Sequence, residues 1–322
     1  MKNKIIYQLL TIAFIVLSSS VNAQSLLDKL DKEFPEKTVY EIAAFKTTRI
    51  GLGHSIETRK KGALEISLYN RYWNIPDFEG QRFLADVVST RYGLDYSFSD
   101  NFTFGLGYTN HDKITDGFVK YKLLKQRQNS KKEFVSITLV QGFSHRNSEN
   151  TSDNIYEPTT SSNKYASTSQ VLIARKMNSE LSLQISPTFI HKEASSLNDD
   201  PNNQFAIGFG ARHKIGGHAS IVSEYFYVAN PLKSEKTYNA FMVGVNWELS
   251  HLLLQFQITN ARNFVEDTFI TQTRNNFNAK DGNFHFGFNA TFVLQTKKKR
   301  LKNRKLFLVH FLIKKKNLAM YA

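Results

Sequence analysis

Aromatic and polar side chains alternate along residues 284–294, which read FHFGFNATFVL. One set of alternate positions holds Phe284, Phe286, Phe288 and Phe292. The positions between them hold His285, Gly287, Asn289 and Thr291. Because successive side chains of a strand point to opposite faces, this pattern predicts a strand with one apolar face and one polar face.

The same alternation recurs along most of the chain beyond Gly62. In residues 102–108, for example, Phe, Phe, Leu and Tyr alternate with Thr, Gly and Gly. We predict twelve strands of about 8 to 14 residues each. They begin near Ala63, Phe83, Phe102, Gly117, Glu133, Tyr165, Glu180, Asn203, His218, Tyr238, His251 and Phe284.

Short and long connections follow one another between these strands. SDN, MNS, GG and SH are short, whereas NSENTSDNIYEPTTSSNK and ARNFVEDTFITQTRNNFNAKDGN are long; HDKITD and RQNSKK are of similar length and fit the pattern least well. An even strand number with short turns at one end and long loops at the other is typical of outer-membrane barrels. The predicted fold class is all-β: a closed antiparallel transmembrane β-barrel of about 12 strands, with short periplasmic turns and long outer loops. A secreted soluble β-sandwich or lipocalin-like barrel is the alternative.

In such a barrel the aromatic face meets lipid, because strands can cross a bilayer only when closure pairs all their backbone groups. The lipid-facing residues of the last strand are then Phe284, Phe286, Phe288 and Phe292. Aromatic residues near strand ends are expected at the two membrane interfaces. These are Tyr72, Trp73, Tyr92, Tyr96, Tyr225, Tyr227 and Trp247.

The N-terminus resembles an export signal. MKNK is followed by the apolar IIYQLLTIAFIVL, and Val21 and Ala23 stand at positions suited to cleavage after Ala23. The chain has no cysteine, which excludes disulfides, a cysteine lipid anchor and thiolate chemistry. We therefore expect export to the outer membrane of a Gram-negative bacterium.

The net charge of +14 is concentrated at the ends of the chain. Residues 1–24 and 297–322 together hold 12 of the 42 basic residues and no acidic residue, which leaves 30 basic and 28 acidic residues between them. A nearly neutral body does not support a nucleic-acid-binding face. The predicted organisation is a signal peptide over 1–23, a periplasmic or plug segment over 24–62, the barrel over 63–296, and a basic, disordered tail over 297–322 that contacts solvent or anionic lipid.

Catalytic motifs are weak. One loop region holds His191, Ser195, Ser196, Asp199 and Asp200, but it shows no defensible spacing of nucleophile and base and is best explained as a hydrophilic turn cluster. The histidines have no paired metal spacing, and the glycine-rich stretches do not open a helix. We expect no catalytic residue, metal or cofactor.

Strand phase places charged side chains on the inner face, where they meet water or one another. Glu65, Arg71 and Glu224 belong to this set. The residues we assign to the lumen lining are Arg91, Asp95, Lys120, Lys122, Arg212, Glu248 and His285. This lining favours a passive channel or binding barrel for small hydrophilic solutes. The alternatives are a closed structural or interaction barrel and a membrane-embedded hydrolase, and strand number does not separate them.

Six stretches resemble one family of uncharacterised bacterial membrane-bound β-barrel proteins. They are FKTTRIGLGHSIETRKKGALEISLYNRYW, DGFVKYKLLKQ, QVLIARKMNSELSLQISPTFIHK, DDPNNQFAIGFGARHKI, SEYFYVANP and FHFGFNATFVL, which extend in the family's order from residue 45 to residue 294. The resemblance implies an outer-membrane barrel of unassigned function and supplies no catalytic residues. We expect it to contact outer-membrane lipid, the barrel assembly machinery and a small polar solute, and no nucleic acid.

Overall fold

The computed structural model describes residues 39–41, 43–73, 85–128, 133–146, 165–193, 200–276, 278 and 284–295. The predicted signal peptide, the basic tail, Ser195, Ser196 and Asp199 lie outside these residues. Among the described residues, no helix is both long and apolar enough to cross a bilayer.

Twelve strands and one short helix make up the described structure. They are β1 (Ala63–Trp73), β2 (Val87–Ser97), β3 (Phe102–Thr109), β4 (Ile114–Leu124), β5 (Ser136–Arg146), β6 (Tyr165–Lys176), β7 (Leu181–Lys192), β8 (Asn203–Lys214), β9 (Ala219–Val228), β10 (Phe241–Leu249), β11 (Leu252–Thr259), α1 (Glu266–Thr271) and β12 (His285–Gln295).

Each strand pairs with its neighbours along the chain, and β1 pairs with β12 to close the barrel. Every pairing is antiparallel, and Ala63 lies opposite Gln295 at the closing seam. The predicted closed barrel of twelve antiparallel strands is therefore confirmed.

The two ends of the barrel differ. The connections that follow β2, β4, β6, β8 and β10 lie at the end where β1 begins, which we call the turn end. The connections that follow the odd-numbered strands lie at the opposite end, which we call the loop end. The longest described connection, between β11 and β12, belongs to the loop end and contains α1.

Side chains alternate between an outer and an inner face, as the sequence predicts. On β12, Phe286 and Phe292 are 48 % and 40 % exposed, whereas Asn289 and Thr291 are buried. Trp73 differs from its prediction as an interfacial residue. It is buried and packs against the rings of His111 and His285, because the phase of β1 turns its odd-numbered residues inward.

The interior is filled by two segments from opposite ends. We call residues 44–57 the hairpin; it enters before β1 at the turn end, and all but half-buried Lys46 are buried. Its two arms join where Ser55 N donates to Thr48 O at 2.9 Å and Ile50 N donates to Gly53 O at 2.9 Å. We call residues 261–273 the inner loop; it folds in from the loop end and contains α1.

Candidate functional site: the closed lumen

Polar side chains of the barrel wall hold the backbone of the hairpin. Lys120 on β4 donates from Nζ to the carbonyls of Thr48, Ser55 and Glu57 at 2.7, 3.0 and 3.3 Å. Three carbonyl oxygens thus surround a buried ammonium group, which satisfies its three N–H donors. The predicted lumen residue Lys120 is therefore an anchor for the hairpin.

The tip of the hairpin is held from the opposite wall. The Glu224 carboxylate on β9 accepts from Leu52 N at 2.5 Å and from Gly53 N at 3.0 Å. Gln255 on β11 donates to Ile50 O at 2.6 Å. Because the hairpin forms no ladder with any strand, these side chains supply the partners that its buried backbone requires.

The closing arm of the hairpin is tied to β5 and β7. The Gln184 side chain accepts from Ile56 N at 2.7 Å and donates to His54 O at 2.7 Å. Thr138 Oγ1 donates to Ile56 O at 2.9 Å. The hairpin is thus attached to strands on several sides of the barrel at once.

Two carboxylates of the wall converge on one hydroxyl of the hairpin. Thr48 Oγ1 lies 2.9 Å from Glu65 Oε1 and 2.6 Å from Asp95 Oδ2. A hydroxyl has a single hydrogen, so it can donate to only one of these oxygens. Thr48 is therefore the residue at which the hairpin contacts the acidic side chains of both β1 and β2.

The inner loop closes the other end of the lumen. Asp267 accepts from Ser144 Oγ on β5 at 2.9 Å, and Lys192 Nζ on β7 donates to Thr271 Oγ1 at 2.7 Å. The Phe269 ring packs edge-on against Phe226 of β9 at 5.0 Å between centroids. These contacts hold α1 against β5, β7 and β9.

The hairpin and the inner loop meet at one carboxylate. Arg49 Nη1 lies 2.7 Å from Glu266 Oε1, and His54 Nε2 lies 3.3 Å from the same oxygen. Burial lowers the pKa of His54 well below its ordinary value, and the charges of Arg49, Lys120 and Arg91 lower it further. Burial raises the pKa of Glu266, and Arg49 opposes that rise. Arg49 is therefore the cation that balances Glu266, while His54 is neutral at neutral pH.

The other residues assigned to the lumen also point inward and contact protein groups. Arg91 pairs with Asp116 across β2 and β4, and Lys122 pairs with Glu57 of the hairpin at 3.2 Å. Arg212 lies 3.1 Å from Glu248, which is half-buried and also contacts Lys46 at 2.8 Å. At the loop end, His285 Nε2 lies 2.6 Å from Asn275 Nδ2. Some of the predicted lumen residues thus contact the hairpin, and the others contact protein groups near one end of the barrel.

The interior has an apolar side as well as a polar one. Inward side chains of β4 to β10 pack against apolar residues of both closing segments. The members that fill the centre include Phe45, Ile50, Leu52, Ile56, Phe118, Leu172, Ile190, Phe226, Met242, Phe269 and Ile270. The closed state therefore combines an apolar core with the polar anchors of the wall.

A polar cavity of about 260 Å³ opens beside the hairpin at the turn end. Lys46, Arg59, Glu248 and His251 contribute to its lining. Arg59 and Lys46 are both engaged by carboxylates, Arg59 by Glu65 at 2.5 Å and Lys46 by Glu248 at 2.8 Å.

The lipid-facing prediction falls on the outer face throughout. Phe286 and Phe292 are exposed, and Phe284 and Phe288 are half-exposed.

The residues that suggested a hydrolase form hydrogen bonds with structural partners. His191 Nδ1 lies 2.7 Å from Asn203 Oδ1. Asp200 accepts from Ser234 Oγ at 2.5 Å and from the backbone amides of Lys233 and Ser234.

The closing residues Arg49, His54, Glu57 and Glu266 escaped the sequence analysis. A signal existed for the hairpin turn, because IGLG at residues 50–53 places two glycines in a tight reversal. A signal also existed for α1, because Phe264, Val265, Phe269 and Ile270 have helical rather than alternating spacing.

Solved structures of outer-membrane barrels are similar to this chain in fold. The KdgM porin is 9 % identical with a TM-score of 0.43, and the match covers 71 % of this chain and 98 % of that one. The NanC porin is 9 % identical with a TM-score of 0.44, covering 73 % and 100 %. An outer-membrane channel from Pseudomonas putida F1 is 11 % identical with a TM-score of 0.45, covering 74 % and 98 %.

Comparison with curated proteins finds no match. A family model does match, over residues 45–294, and its span runs from the second residue of the hairpin to the last residue but one of β12. The chain therefore belongs to the family described as the membrane bound beta barrel domain, DUF5777.

Proposed function

We propose that the protein is an outer-membrane channel for small hydrophilic solutes and that the structure represents its closed state. The observation that supports this most directly is the meeting of two separate closing segments at Glu266, one from each end of the barrel. Neither segment is part of the wall, because every strand is already paired on both sides without them. Their withdrawal would leave the barrel intact.

The nature of the attachment supports a reversible closure. The wall holds the hairpin through side chains such as Lys120, Glu224 and Gln184, which water can replace as partners once the hairpin leaves. The side of the lumen formed by β1 to β4, β11 and β12 is lined by charged and amide side chains. Such a lining suits polar solutes and excludes apolar ones.

A closed structural barrel is the second candidate function. The apolar residues that the closing segments bury against β4 to β10 favour it, because their exposure to water costs free energy when the segments withdraw. Under this proposal the filled lumen strengthens the wall and the barrel conducts nothing.

We place the protein in the outer membrane of a Gram-negative bacterium, reached by export and by the barrel assembly machinery, with lipid around its aromatic outer face. We also propose a non-catalytic role. His191 and Asp200 have structural partners, which leaves no nucleophile–base pair between them and the described side chains nearby.

Single-channel conductance in a planar bilayer tests the proposed function. Because the chain has no cysteine, an R49C/E266C variant carries thiols only where hairpin and inner loop meet. We expect discrete conductance steps from the refolded protein, their loss when a short bifunctional thiol reagent joins the two segments, and their return on reduction with a reducible reagent.

The R49C single variant, treated identically, controls for modification of the hairpin alone. A barrel that shows the heat-dependent gel shift of a folded barrel but gives no steps in any of these forms would favour the structural role.

A further inference from the structure

Arg71 on β1 is a buried cation without an acidic partner. Its side chain is fully buried, and no carboxylate lies within 4 Å of it among the described residues. The other buried arginines differ: Arg49, Arg91 and Arg212 pair with Glu266, Asp116 and Glu248. An uncompensated buried charge is costly, so its retention calls for a role.

The groups that contact Arg71 orient it without neutralising it. Nη1 donates to Asn70 O at 3.0 Å and to Asn289 Oδ1 at 3.1 Å. In the amide orientation that satisfies both of its polar atoms, Gln257 presents its oxygen to Nη1 and Nη2 at 2.8 and 2.9 Å. All three acceptors are neutral, so the guanidinium keeps its full charge in a fixed position.

Near the loop end, three described polar atoms on the adjacent strands β1 to β3 lack hydrogen-bond partners. They are Arg71 Nε on β1, Ser89 Oγ on β2 and Thr109 Oγ1 on β3, and each of these residues is at most 1 % exposed. Ser89 lies directly opposite Arg71, and Thr109 lies opposite Arg91, two residues along the same face of β2. Buried polar atoms almost always have partners, so these three donors are available to hydrogen-bond a ligand.

The inner loop covers the same place. The Phe264 ring lies over the guanidinium, with its centroid 4.8 Å from Arg71 Cζ. Gly287 of β12 lies opposite Arg71 and brings no side chain toward it. Withdrawal of the inner loop would therefore uncover a guanidinium that has the Ser89 hydroxyl on the adjacent strand β2 and the Thr109 hydroxyl one strand further on the same side.

We propose that Arg71, Ser89 and Thr109 form a binding site for the oxyanion of a small solute, a carboxylate or a phosphate group. An arginine fork and hydroxyl donors are the groups that recognise such oxygens in proteins. The inference rests on the proposed function in taking the ligand to be a transported solute. It adds the chemical class of that solute and a position for it at the loop-end third of the lumen.

Fluorescence of Trp73 gives a test at the site itself. Trp73 lies two residues beyond Arg71 on the same inward face, and the chain has one other tryptophan, Trp247, on the outer face. A W247F protein, folded in detergent, therefore reports from the site alone. We would titrate it with gluconate, with glucose 6-phosphate and, as the uncharged control, with glucose, in the original background and with F264A.

We expect a saturable change in fluorescence with at least one of the two anions and none with glucose. The R71Q substitution should weaken binding about 10- to 100-fold, as expected for loss of hydrogen bonds from a charged group, and R71K should recover part of it. R212Q is the matched control, because that inward arginine already has a carboxylate partner near the turn end. F264A should tighten binding by removing the cover.

The two anions separate the possible sources of the oxyanion. Saturation by gluconate alone assigns a carboxylate, and saturation by glucose 6-phosphate alone assigns a phosphate. If neither anion gives a saturable change, even in the F264A background, the proposal is overturned, and water is then the partner of the three polar atoms. The titration does not depend on conductance, so failure of the site and failure of the channel are observed separately.

Discussion

Arg49 of the hairpin and Glu266 at the start of α1 lie 2.7 Å apart and join the two segments that close the barrel. The two residues are 217 positions apart in the chain and reach each other from opposite ends of the lumen. Both side chains are almost fully buried, and Arg49 also donates to Leu52 O at 3.0 Å within the hairpin. Their contact is thus the place where closure at one end can be coupled to closure at the other.

Removing the carboxylate should loosen both segments. In E266Q, Arg49 keeps its charge but loses the group that balances it, and breaking a buried pair in this way costs about 3–5 kcal/mol. We expect a large rise in open probability in single-channel recordings. E248Q is the control, because Glu248 is half-buried and its pairs should contribute no more than about 1 kcal/mol. Equal effects of the two variants would show that the contact has no special part in closure.

Ion selectivity should depend on Lys120 and Lys122. Both are buried cations of β4 that contact the hairpin, and both enter the lumen if the hairpin withdraws. We expect K120Q/K122Q to lower the permeability of anions relative to cations, measured as a shift of reversal potential in a salt gradient. The outward residue Lys125, changed to Gln, should leave the reversal potential in place. An unchanged potential in the double variant would refute the assignment of these lysines to the lumen.

A side chain at Gly51 should displace the hairpin without harming the wall. A Cβ there would overlap the Met242 methyl group and lie 3.1 Å from the nearer amide atom of the Gln257 side chain. We expect G51V to weaken docking by about 1–3 kcal/mol, the usual cost of overpacking, and to increase proteolysis of the segment before β1. G216A is the matched control, because no atom lies within 4 Å of the added group. Resistance of G51V equal to that of G216A would contradict the docked position.

Acidification should favour release of the hairpin through His54. Docking lowers the pKa of this side chain below its ordinary value of 6.5, so His54 is protonated more readily in the released hairpin than in the docked one. Docking therefore becomes less favourable as the pH falls below about 6.5. This corresponds to an increase in opening of up to about tenfold per pH unit. Glu266 acts in the opposite sense, because burial raises its pKa.

A comparison with H54Q separates the two groups, since Glu266 is common to both proteins. We expect the open probability of the original protein, divided by that of H54Q, to rise as the pH is lowered from about 7.5 to about 5.5. A ratio that stays constant over this range would exclude His54 as the source of any pH dependence.

The cost of a charge on the outer face should depend on its position along β12. Phe288 lies near the middle of the strand and Leu294 near the turn end, and both face outward. We expect F288R to reduce stability in lipid vesicles by about 2–4 kcal/mol and L294R by about 1 kcal/mol or less. Urea titrations of folding would measure both. Equal costs would argue against a bilayer around this face.

The wall could be predicted from the sequence because its signal is local. A period of two residues shows directly which side chains share a face, as the burial of Asn289 and Thr291 beside exposed Phe286 illustrates. Boundaries were less accurate. The fourth strand begins at Ile114 rather than Gly117, directly after Lys113, whose positive φ of 51° marks the turn. The second described strand begins at Val87, and the predicted start at Phe83 lies outside the described residues.

The contents of the lumen could not be predicted in the same way. The hairpin has neither strand nor helix periodicity, and the residues that hold it, such as Glu224 and Gln255, are more than 170 positions distant in the chain. Local spacing contains no information about such partners. The missing acid beside Arg71 likewise depends on the register of β1 against β2 and β12, which the sequence pattern alone does not specify.

The anchors of the hairpin also set an order of assembly. Apart from Glu65, Asp95 and Glu248, they come from β4, β5, β7, β9 and β11, and Glu266 comes from the connection after β11. During synthesis from the N-terminus, the hairpin is therefore made first, and the wall residues that hold it are complete only at the end. Because long-range contacts of this kind form late, the wall must come together around a wet interior, and filling of the lumen becomes the final step of maturation rather than the seed of folding.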